Sequence, residues 1–586
     1  MLEKINNLKN WQVALIIILI GFAVFFAGLH APFEGDDLPQ IVNNPDIHSL
    51  ANFKMFFEGS TFYENSGTQN YTSLGSVGVL GGTYYRPLMV LVFALIYHFF
   101  GLHVFYFHLF LLSLFIATIF LMYLLFRYWF NTSLSLILSL ILLVHPMNAQ
   151  LVYGIPSTQD VLFVFFGTLS FWLLLRFTSI KGLIGVALCQ FMALLSKETA
   201  ILFVVMSLIY LYWQYRKRLV PFIAISVVPF LVWISLRIHA VGLNRNPSNA
   251  PIDTLNLLER LYTAPSLIVF YLTKFIFPWK LASEYYWVYR TFSFWHVLIP
   301  LLIVLCIAGL ISFLAFQVHR RSLTEQYRAF LFFTTWCALG LLAHLQIIPL
   351  DFTASEPWFY FSMIGLLGMI GIIILSFQEH IKPQYFSVAA VLMICLLGIR
   401  TAAWTSAWKT QYSLSYNNIM ASKEDYIAYD NLAAQLNDKD KYVQAETYAA
   451  RSVAIYPTYF NLENLGTSQA GLGRYAQAEA TLNRSLDYGQ YYLTYENLAL
   501  LSLDYDTPGQ SSLLLTKAIH KLPHDPVILM SVAIHDQQVD DNTDAKKAIT
   551  AAATYGQVSS VLYYDIIYNK PFSVTPFNSG KHLSIP

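Results

Sequence analysis

Charge is what this chain has least of. Lys, Arg, Asp and Glu make up 12% of its 586 residues, about half the share a soluble domain carries, against 56% hydrophobic residues. An ordinary soluble protein is thereby excluded, and a polytopic membrane protein remains. Neither sign is in excess: 35 Lys and Arg face 34 Asp and Glu, a net charge of +1. That balance excludes a strongly basic nucleic-acid binder and an acidic disordered chain. Cysteine is equally scarce. Cys189, Cys306, Cys337 and Cys395 all lie in apolar runs, so their spacing supports neither a disulfide framework nor a cysteine zinc site. His98, His103, His108 and His145 lack the i, i+4 pairing of a zinc helix and fall on different elements.

What the chain has instead is apolar length. Residues 11–29 form a first span preceded by Lys4 and Lys9 with no small-residue cleavage pattern after it, which reads as a retained signal anchor with a cytoplasmic N-terminus. Further spans are expected at 105–127, 132–146, 158–176, 182–196, 199–215, 219–240, 295–318, 329–349, 357–378 and 384–400, making eleven. Two more apolar segments, 87–100 and 264–277, are each 14 residues long. As helices they reach about 21 Å of a roughly 30 Å hydrocarbon core. They are expected to lie along the outer surface, giving thirteen helices if both are counted.

The Lys/Arg distribution agrees. With both short segments outside, Arg127, Arg176, Lys181, the Arg216-Lys217-Arg218 run, Arg320, Arg321, Arg328 and Lys382 all fall on the cytoplasmic side. Cysteine labelling in intact cells is therefore expected to find the Asp36 loop and the region around Gly473 outside and Arg216 inside. Labelling Asp36 and Arg216 positions from the same side would refute this topology.

Beyond residue 400 the chain becomes polar, Ala-rich and helix-periodic. Asn431-Leu432-Ala433, Asn464-Leu465-Gly466 and Asn497-Leu498-Ala499 recur every 33 residues, and Ala445/Ala478, Arg451-Ser452/Arg484-Ser485 and Pro457/Pro523 keep the same register. Small residues at fixed spacing are the mark of stacked helical hairpins, and the pattern resembles a tetratricopeptide-repeat array. The expected organisation is a membrane domain over 1–400, a connector over 401–423, repeats over 424–556 and a tail over 557–586. Such arrays commonly hold peptides or partner domains, and a cap that only shields the membrane domain is the alternative.

The residues that suggest chemistry lie in the first outer loop, about 30–104. Phe33-Glu34-Gly35-Asp36-Asp37 follows the first span, then Ile41, Asn44-Pro45 and Ile47, and the loop closes with Tyr84-Tyr85-Arg86-Pro87-Leu88 before a short apolar helix ending at Phe100-Gly101. A carboxylate at a membrane surface, partly dry and beside a like charge, gains the basicity of a general base. Further along come His145-Pro146, Asp160-Val161-Leu162, Ser196-Lys197-Glu198, Asn246-Pro247, and Ser355-Glu356 with Tyr360. This ordered set resembles the membrane-embedded glycosyltransferases of the GT-C class, more narrowly the transmembrane and tetratricopeptide-repeat O-mannosyltransferases and their prokaryotic relatives. Gln150, Thr158 and Pro357 depart from the family pattern, where Glu, Arg and Arg are usual.

The resemblance implies an all-α, polytopic GT-C membrane fold followed by a TPR-like α-solenoid. It implies an inverting glycosyltransferase that moves mannose or another hexose from a polyprenyl-phosphate carrier to Ser/Thr hydroxyls of exported proteins, the acceptor being held by the repeats. Asp36 and Asp37 would be catalytic; because adjacent side chains of an extended segment point apart, one is expected as base and the other as positioning residue, with Asp36 slightly favoured as base. Arg86, Tyr85, Lys197, Glu198, His145, Asp160, Glu356 and Tyr360 would surround the donor phosphate or substrate. For Lys197-Glu198 an interfacial pair, and for Asp160 and Glu356 a helix-start carboxylate, are the structural alternatives. No cofactor is required; a divalent cation, on Asp36 and Asp37 if anywhere, stays open. The location implied is multi-pass in a bacterial inner membrane with the site facing the periplasm, or the lumenal side of the endoplasmic reticulum in a eukaryote. A polysaccharide or lipid acceptor, a non-catalytic envelope scaffold and a transporter are the competing readings. The Asn70-Tyr71-Thr72 sequon has meaning only in a host that glycosylates asparagine.

Overall fold

The computed structural model describes residues 2–62, 84–177, 179–242, 250–321, 323–380, 382–503, 508–556 and 558–570. The sequon at Asn70, the Asn246-Pro247 motif and the last 16 residues of the expected tail, 571–586, lie outside them. Regular structure is helical throughout these residues, the one β-bridge joining Tyr285 to Ala354.

The longer helices of the membrane unit are α1 (Asn10–Phe25), α2 (Pro87–Phe100), α3 (Val104–Phe126), α4 (Thr132–Val144), α5 (Thr158–Arg176), α6 (Ile180–Leu194), α7 (Ile201–Gln214), α8 (Arg216–Val241), α9 (Leu257–Ile276), α10 (Ile299–Arg320), α11 (Thr324–Leu342), α12 (Tyr360–Ser376), α13 (Pro383–Trp404) and α14 (Gln411–Ala421). Their ends carry the expected chemistry. Asn131 and Ser179 accept from Leu134 N and Gly182 N, and Asn256 with Glu259 closes a capping box. Pro87 and Pro383 occupy the first helical position, where no amide hydrogen is needed.

Among the described residues, seven helical stretches are long and apolar enough to cross a membrane: Asn10–His30, Val104–Phe126, Ile155–Arg176, Arg216–Val241, Phe294–Arg320, Glu356–Ser376 and Pro383–Lys409. The bent pair Thr132–Val144 and Pro146–Tyr153, which turns by 56° at His145, makes an eighth if taken as one span. The count is lower than the eleven expected because Ile180–Leu194 and Glu198–Gln214 are shorter apolar helices, and α11 opens with Glu325, Gln326 and Arg328. Pro87–Phe100 is also short, as its length predicts. The segment 264–277 is no separate element but the later part of amphipathic α9. Val388, Leu392, Leu396 and Ile399 leave an exposed apolar strip on α13, as lipid contact requires.

Within this unit α5 packs on α3 and α6, and α11 packs along α12. The last pair approaches so closely that a Cβ on Gly365 would lie 2.4 Å from the Cys337 amide nitrogen. An alanine there forces the helices apart.

Residues from Lys423 onward belong to a second compact unit. Helices α15 (Tyr426–Asn437), α16 (Tyr442–Ile455), α17 (Tyr459–Gly471), α18 (Tyr475–Tyr488), α19 (Tyr492–Ser502), α20 (Pro508–Lys521), α21 (Pro526–Gln538), α22 (Asn542–Tyr555) and α23 (Ser560–Ile567) follow one another, paired as hairpins. The 33-residue period reappears in the bonding. Ser452 Oγ donates to Tyr426 O (2.7 Å) and Ser485 Oγ to Tyr459 O (2.8 Å). Asn464 donates to Asp430 (3.0 Å), and Asn497 donates likewise to Glu463. Ala445 and Ala478 are fully buried where helices meet.

Candidate active site

The acidic loop is built on a tight turn. Gly35 has φ +56°, a conformation that L side chains rarely adopt, and it lets Asp37 N donate to Glu34 O (3.1 Å) while Glu34 N donates to Asp37 Oδ2 (3.1 Å). Asp37 is thus turned inward and buried, whereas Asp36 is turned the other way. Behind the turn Ile41 and Ile47 are fully buried, Asn44 caps Asp46 N, and the His48 ring stacks on Tyr97 of α2 with centroids 4.1 Å apart. His108 of α3 bonds Ala31 O (3.2 Å) and anchors the loop's start.

Arg86 is delivered by a different element. Leu88 N, in the first turn of α2, donates to Leu195 O (3.2 Å) just past the end of α6, so the residue before Pro87 meets the Lys197-Glu198 segment. The Arg86 guanidinium lies over the Tyr84 ring at 4.4 Å and pairs with Glu198 at 3.7 Å, longer than a hydrogen bond. Its Nε is buried without a hydrogen-bond partner among the described residues. Tyr85 is turned into the core, 3% exposed, with its hydroxyl enclosed and without a partner among the described residues. Lys197 Nζ donates to Asp160 Oδ1 at 2.6 Å, both side chains being nearly buried, so the charge of Lys197 is matched within the protein.

The Asp36 side chain is exposed, and the charge of Arg86 acts on it. Burial raises its carboxyl above the ordinary range, and the nearby Arg86 charge opposes that rise. Burial pushes Asp37 up to about 8, with the Glu34 amide bond opposing and the charges of Asp36 and Glu34 adding. Glu34 is raised to about 7 by burial, partly offset by an amide bond from Gln411. Glu284 and Asp351 also feel the charge of Asp36, and burial raises them to about 7 and about 6. At Glu198 burial raises the carboxyl, but Arg86, Lys197 and Arg237 outweigh it and hold the group below the ordinary range. The charges are therefore segregated: cations gather around Glu198, and carboxylates gather around Asp36.

Of the residues singled out in the sequence, Asp36, Asp37, Arg86, Lys197, Glu198 and Asp160 come together here. Others go elsewhere. Glu356, fully buried, accepts from Tyr285 OH (2.8 Å) and Ala282 N (3.1 Å), with Lys274 and Arg400 as its neighbouring cations. His145 bonds Phe275 O (3.0 Å), stacks on the Phe275 ring and accepts from Met147 N, forming the corner between α4 and the next helical turn. The Tyr360 hydroxyl is buried at the start of α12, with no hydrogen-bond partner among the described residues. Glu284, Asp351 and Arg237 escaped the sequence reading. A signal did exist for Glu284: like Arg86 beside Tyr84-Tyr85, it is a charge against a tyrosine pair, Tyr285-Tyr286, near a short apolar segment.

No group of three or more His, Cys, Asp or Glu among the described residues is arranged to hold a metal ion. Asp36 and Asp37 diverge, so the adjacent pair does not chelate from one side. No protein-family model matches the sequence, and no curated protein does. Among solved structures, that of ArnT from Cupriavidus metallidurans bound to undecaprenyl phosphate is similar over 80% of this chain and 79% of its own, at 14% identity and a TM-score of 0.36. At that score nothing of its chemistry is carried over to this chain.

Proposed function

We propose that this chain is a membrane glycosyltransferase of the GT-C kind, transferring a hexose from a polyprenyl-phosphate carrier to an acceptor hydroxyl, with Ser/Thr of exported proteins as acceptors. The observation that supports the reading is that the acidic turn after the first apolar helix brings Asp36 within the field of Arg86, which stands at the start of α2 and pairs with Glu198. A glycosyl phosphate presents two reacting ends. Its phosphate leaves with a growing negative charge, which a planar guanidinium fork is suited to receive. Its anomeric carbon develops positive charge and is attacked by a hydroxyl whose proton needs a base. Asp36, basic and accessible, takes that proton as the new C–O bond forms, and the carrier phosphate departs from the opposite face with inversion. Arg86 holds the phosphate, its pair with Glu198 being long enough to yield. Lys197 and Asp160 brace this wall, and Asp37 fixes the turn that aims Asp36.

The second unit is the acceptor-recruiting part in this reading, since every residue placed in the chemistry precedes Lys423. Deleting residues from Asp425 onward is expected to leave lipid-linked hexose binding intact while transfer to a full-length protein acceptor falls sharply. A short acceptor peptide at high concentration partly restores turnover, because mass action replaces recruitment. Carrier binding and peptide transfer by a monodisperse truncated sample test this. Loss of carrier binding would assign the unit a purely structural role, and undiminished transfer to the full-length acceptor would defeat recruitment as well. The function as a whole is tested by incubating the purified protein with polyprenyl-phosphate mannose or glucose and an exported protein. No added hexose on intact-mass measurement would count against it.

A further inference from the structure

Helix α13 ends at a cavity that the chemistry around Asp36 does not use. Its exposed apolar strip runs through Val388, Leu392, Leu396 and Ile399, and the positions four residues on from Leu396 and Ile399, on the same face, are Arg400 and Ala403. Both line a cavity of about 450 Å³, which Trp404, Tyr412, Tyr416 and Met420 help to wall. Tyr412, Tyr416 and Met420 recur every four residues along α14 and are all exposed, so this short helix turns an aromatic and thioether face to the cavity. The strip therefore leads from lipid-facing surface into a pocket at the end of the span away from Lys382.

The pocket is cationic. Arg400 donates one hydrogen bond, to Trp279 O (2.7 Å), and its guanidinium makes no other among the described residues. The next residue, Lys280, is exposed, and its carbonyl accepts from Lys274 Nζ, which brings three basic residues to this end of the span. Among the described residues no carboxylate lines the cavity, and Glu356, whose charge Arg400 also feels, is fully buried. The Tyr412 and Tyr416 hydroxyls have no hydrogen-bond partner among the described residues either. Unused N–H and O–H donors beside a positive charge suit an anion that only accepts, as the oxygens of a phosphate diester do. Trp279 and, two residues before it, Phe277 are exposed, as aromatic side chains at a membrane–water boundary are.

We propose that this cavity binds the phosphate headgroup of an anionic membrane phospholipid, with Arg400 and the two tyrosine hydroxyls on the phosphate and an acyl chain along the α13 strip. Neither half of the site is enough alone. An apolar strip meets any lipid tail, and a lone arginine at a helix end simply reaches for water. A strip that runs into an arginine-lined cavity matches a molecule that is apolar at one end and phosphorylated at the other. Lys274 and Lys280 favour a lipid of net negative charge over a zwitterionic one, whose ammonium group they repel. The site is separate from the place given to the carrier: Arg86 precedes α2 and pairs with Glu198, whereas Arg400 lies near the end of α13 and bonds Trp279. The inference does not depend on the glycosyltransferase reading.

The test titrates the full-length protein in detergent with phosphatidylglycerol, read by native mass spectrometry, with phosphatidylcholine, inorganic phosphate and polyprenyl phosphate in parallel. The wild type is expected to hold phosphatidylglycerol about tenfold more tightly than the other three. Arg400→Ala weakens that binding about 10- to 100-fold, the loss of hydrogen bonding to a charged group, and Arg400→Lys falls between. Arg400 also bonds Trp279, so Tyr416→Glu is the companion variant. It changes an exposed side chain without a hydrogen bond among the described residues, removes a donor and adds a repelling charge. It should weaken phosphatidylglycerol binding while melting like the wild type in lipid-free detergent. Arg86→Ala should leave this binding unchanged. Equal retention of phosphatidylcholine overturns the inference, because no charge is then recognised. Inorganic phosphate held as tightly reduces the cavity to an anion site, and polyprenyl phosphate held as tightly assigns it to the carrier; either result overturns it too. So does wild-type retention of phosphatidylglycerol by Arg400→Ala or by a well-folded Tyr416→Glu, or its loss in Arg86→Ala.

Discussion

Asp36→Asn is expected to abolish hexose transfer, by about 10²- to 10⁴-fold, the usual cost of losing a general base. The substitution keeps the shape of the side chain and removes its ability to take a proton. Because the Asp36 side chain is exposed and makes no hydrogen bond among the described residues, its one bond in the turn being through the backbone carbonyl, the variant should melt like the wild type. Asp37→Asn is expected to cost much less. Asp37 is raised to about 8, so it is largely protonated near neutrality, and an amide oxygen can still accept from Glu34 N. The pH profile carries the same sign. A base works only when deprotonated, and the carboxyl of Asp36 is raised by burial, so the rate falls as pH drops through a value above the ordinary carboxylate range. Single-turnover rates against pH in detergent or nanodiscs measure both effects. Equal activity of Asp36→Asn and wild type would remove this residue from the chemistry.

Replacing Arg86 is the other large effect expected. Arg86→Ala should lower the rate by about 10²- to 10³-fold, the scale on which a preorganised donor to a developing anion acts. Lysine retains the charge but cannot form the planar two-point contact or lie over the Tyr84 ring, so Arg86→Lys should fall between alanine and wild type. Arg86→Ala also leaves Glu198 without its nearest cation. A companion Arg86→Ala/Glu198→Gln variant separates the roles. If the double variant regains activity, Arg86 serves to neutralise Glu198; if it stays inactive while carrier binding is weakened, Arg86 holds the phosphate. Binding of a polyprenyl phosphate without sugar supplies that second readout.

The contacts of these residues explain what could be read in one dimension. Asp36 and Arg86 each stood next to a local mark, the end of a first span and a proline-started helix, and both marks are properties of a few adjacent residues. The repeat of the second unit was legible for a similar reason: Ser452 and Ser485 make one bond, to Tyr426 O and Tyr459 O, at an interval the sequence itself displays. Glu356 and His145 had equally good local settings, yet Glu356 bonds Tyr285 and Ala282 and His145 forms a helix corner. Sequence order does not say which helix faces which.

The scarcity of charge and the length of the apolar runs by themselves determined that this is a helical membrane chain, because a backbone in lipid has to satisfy its own hydrogen bonds. Periodicity alone likewise set the helical repeat after residue 400. Tertiary structure decided the rest. Lys197 meets Asp160 because the Leu194 end of α6 turns back beside the start of α5, and the Leu281–Ser283 segment is held because α14 clamps it with Asn417 and Asn418. Apolar helices with similar side chains can pack in many arrangements of nearly equal local energy. Only the close contacts that one arrangement permits, such as Gly365 against Cys337, select which buried charges become neighbours.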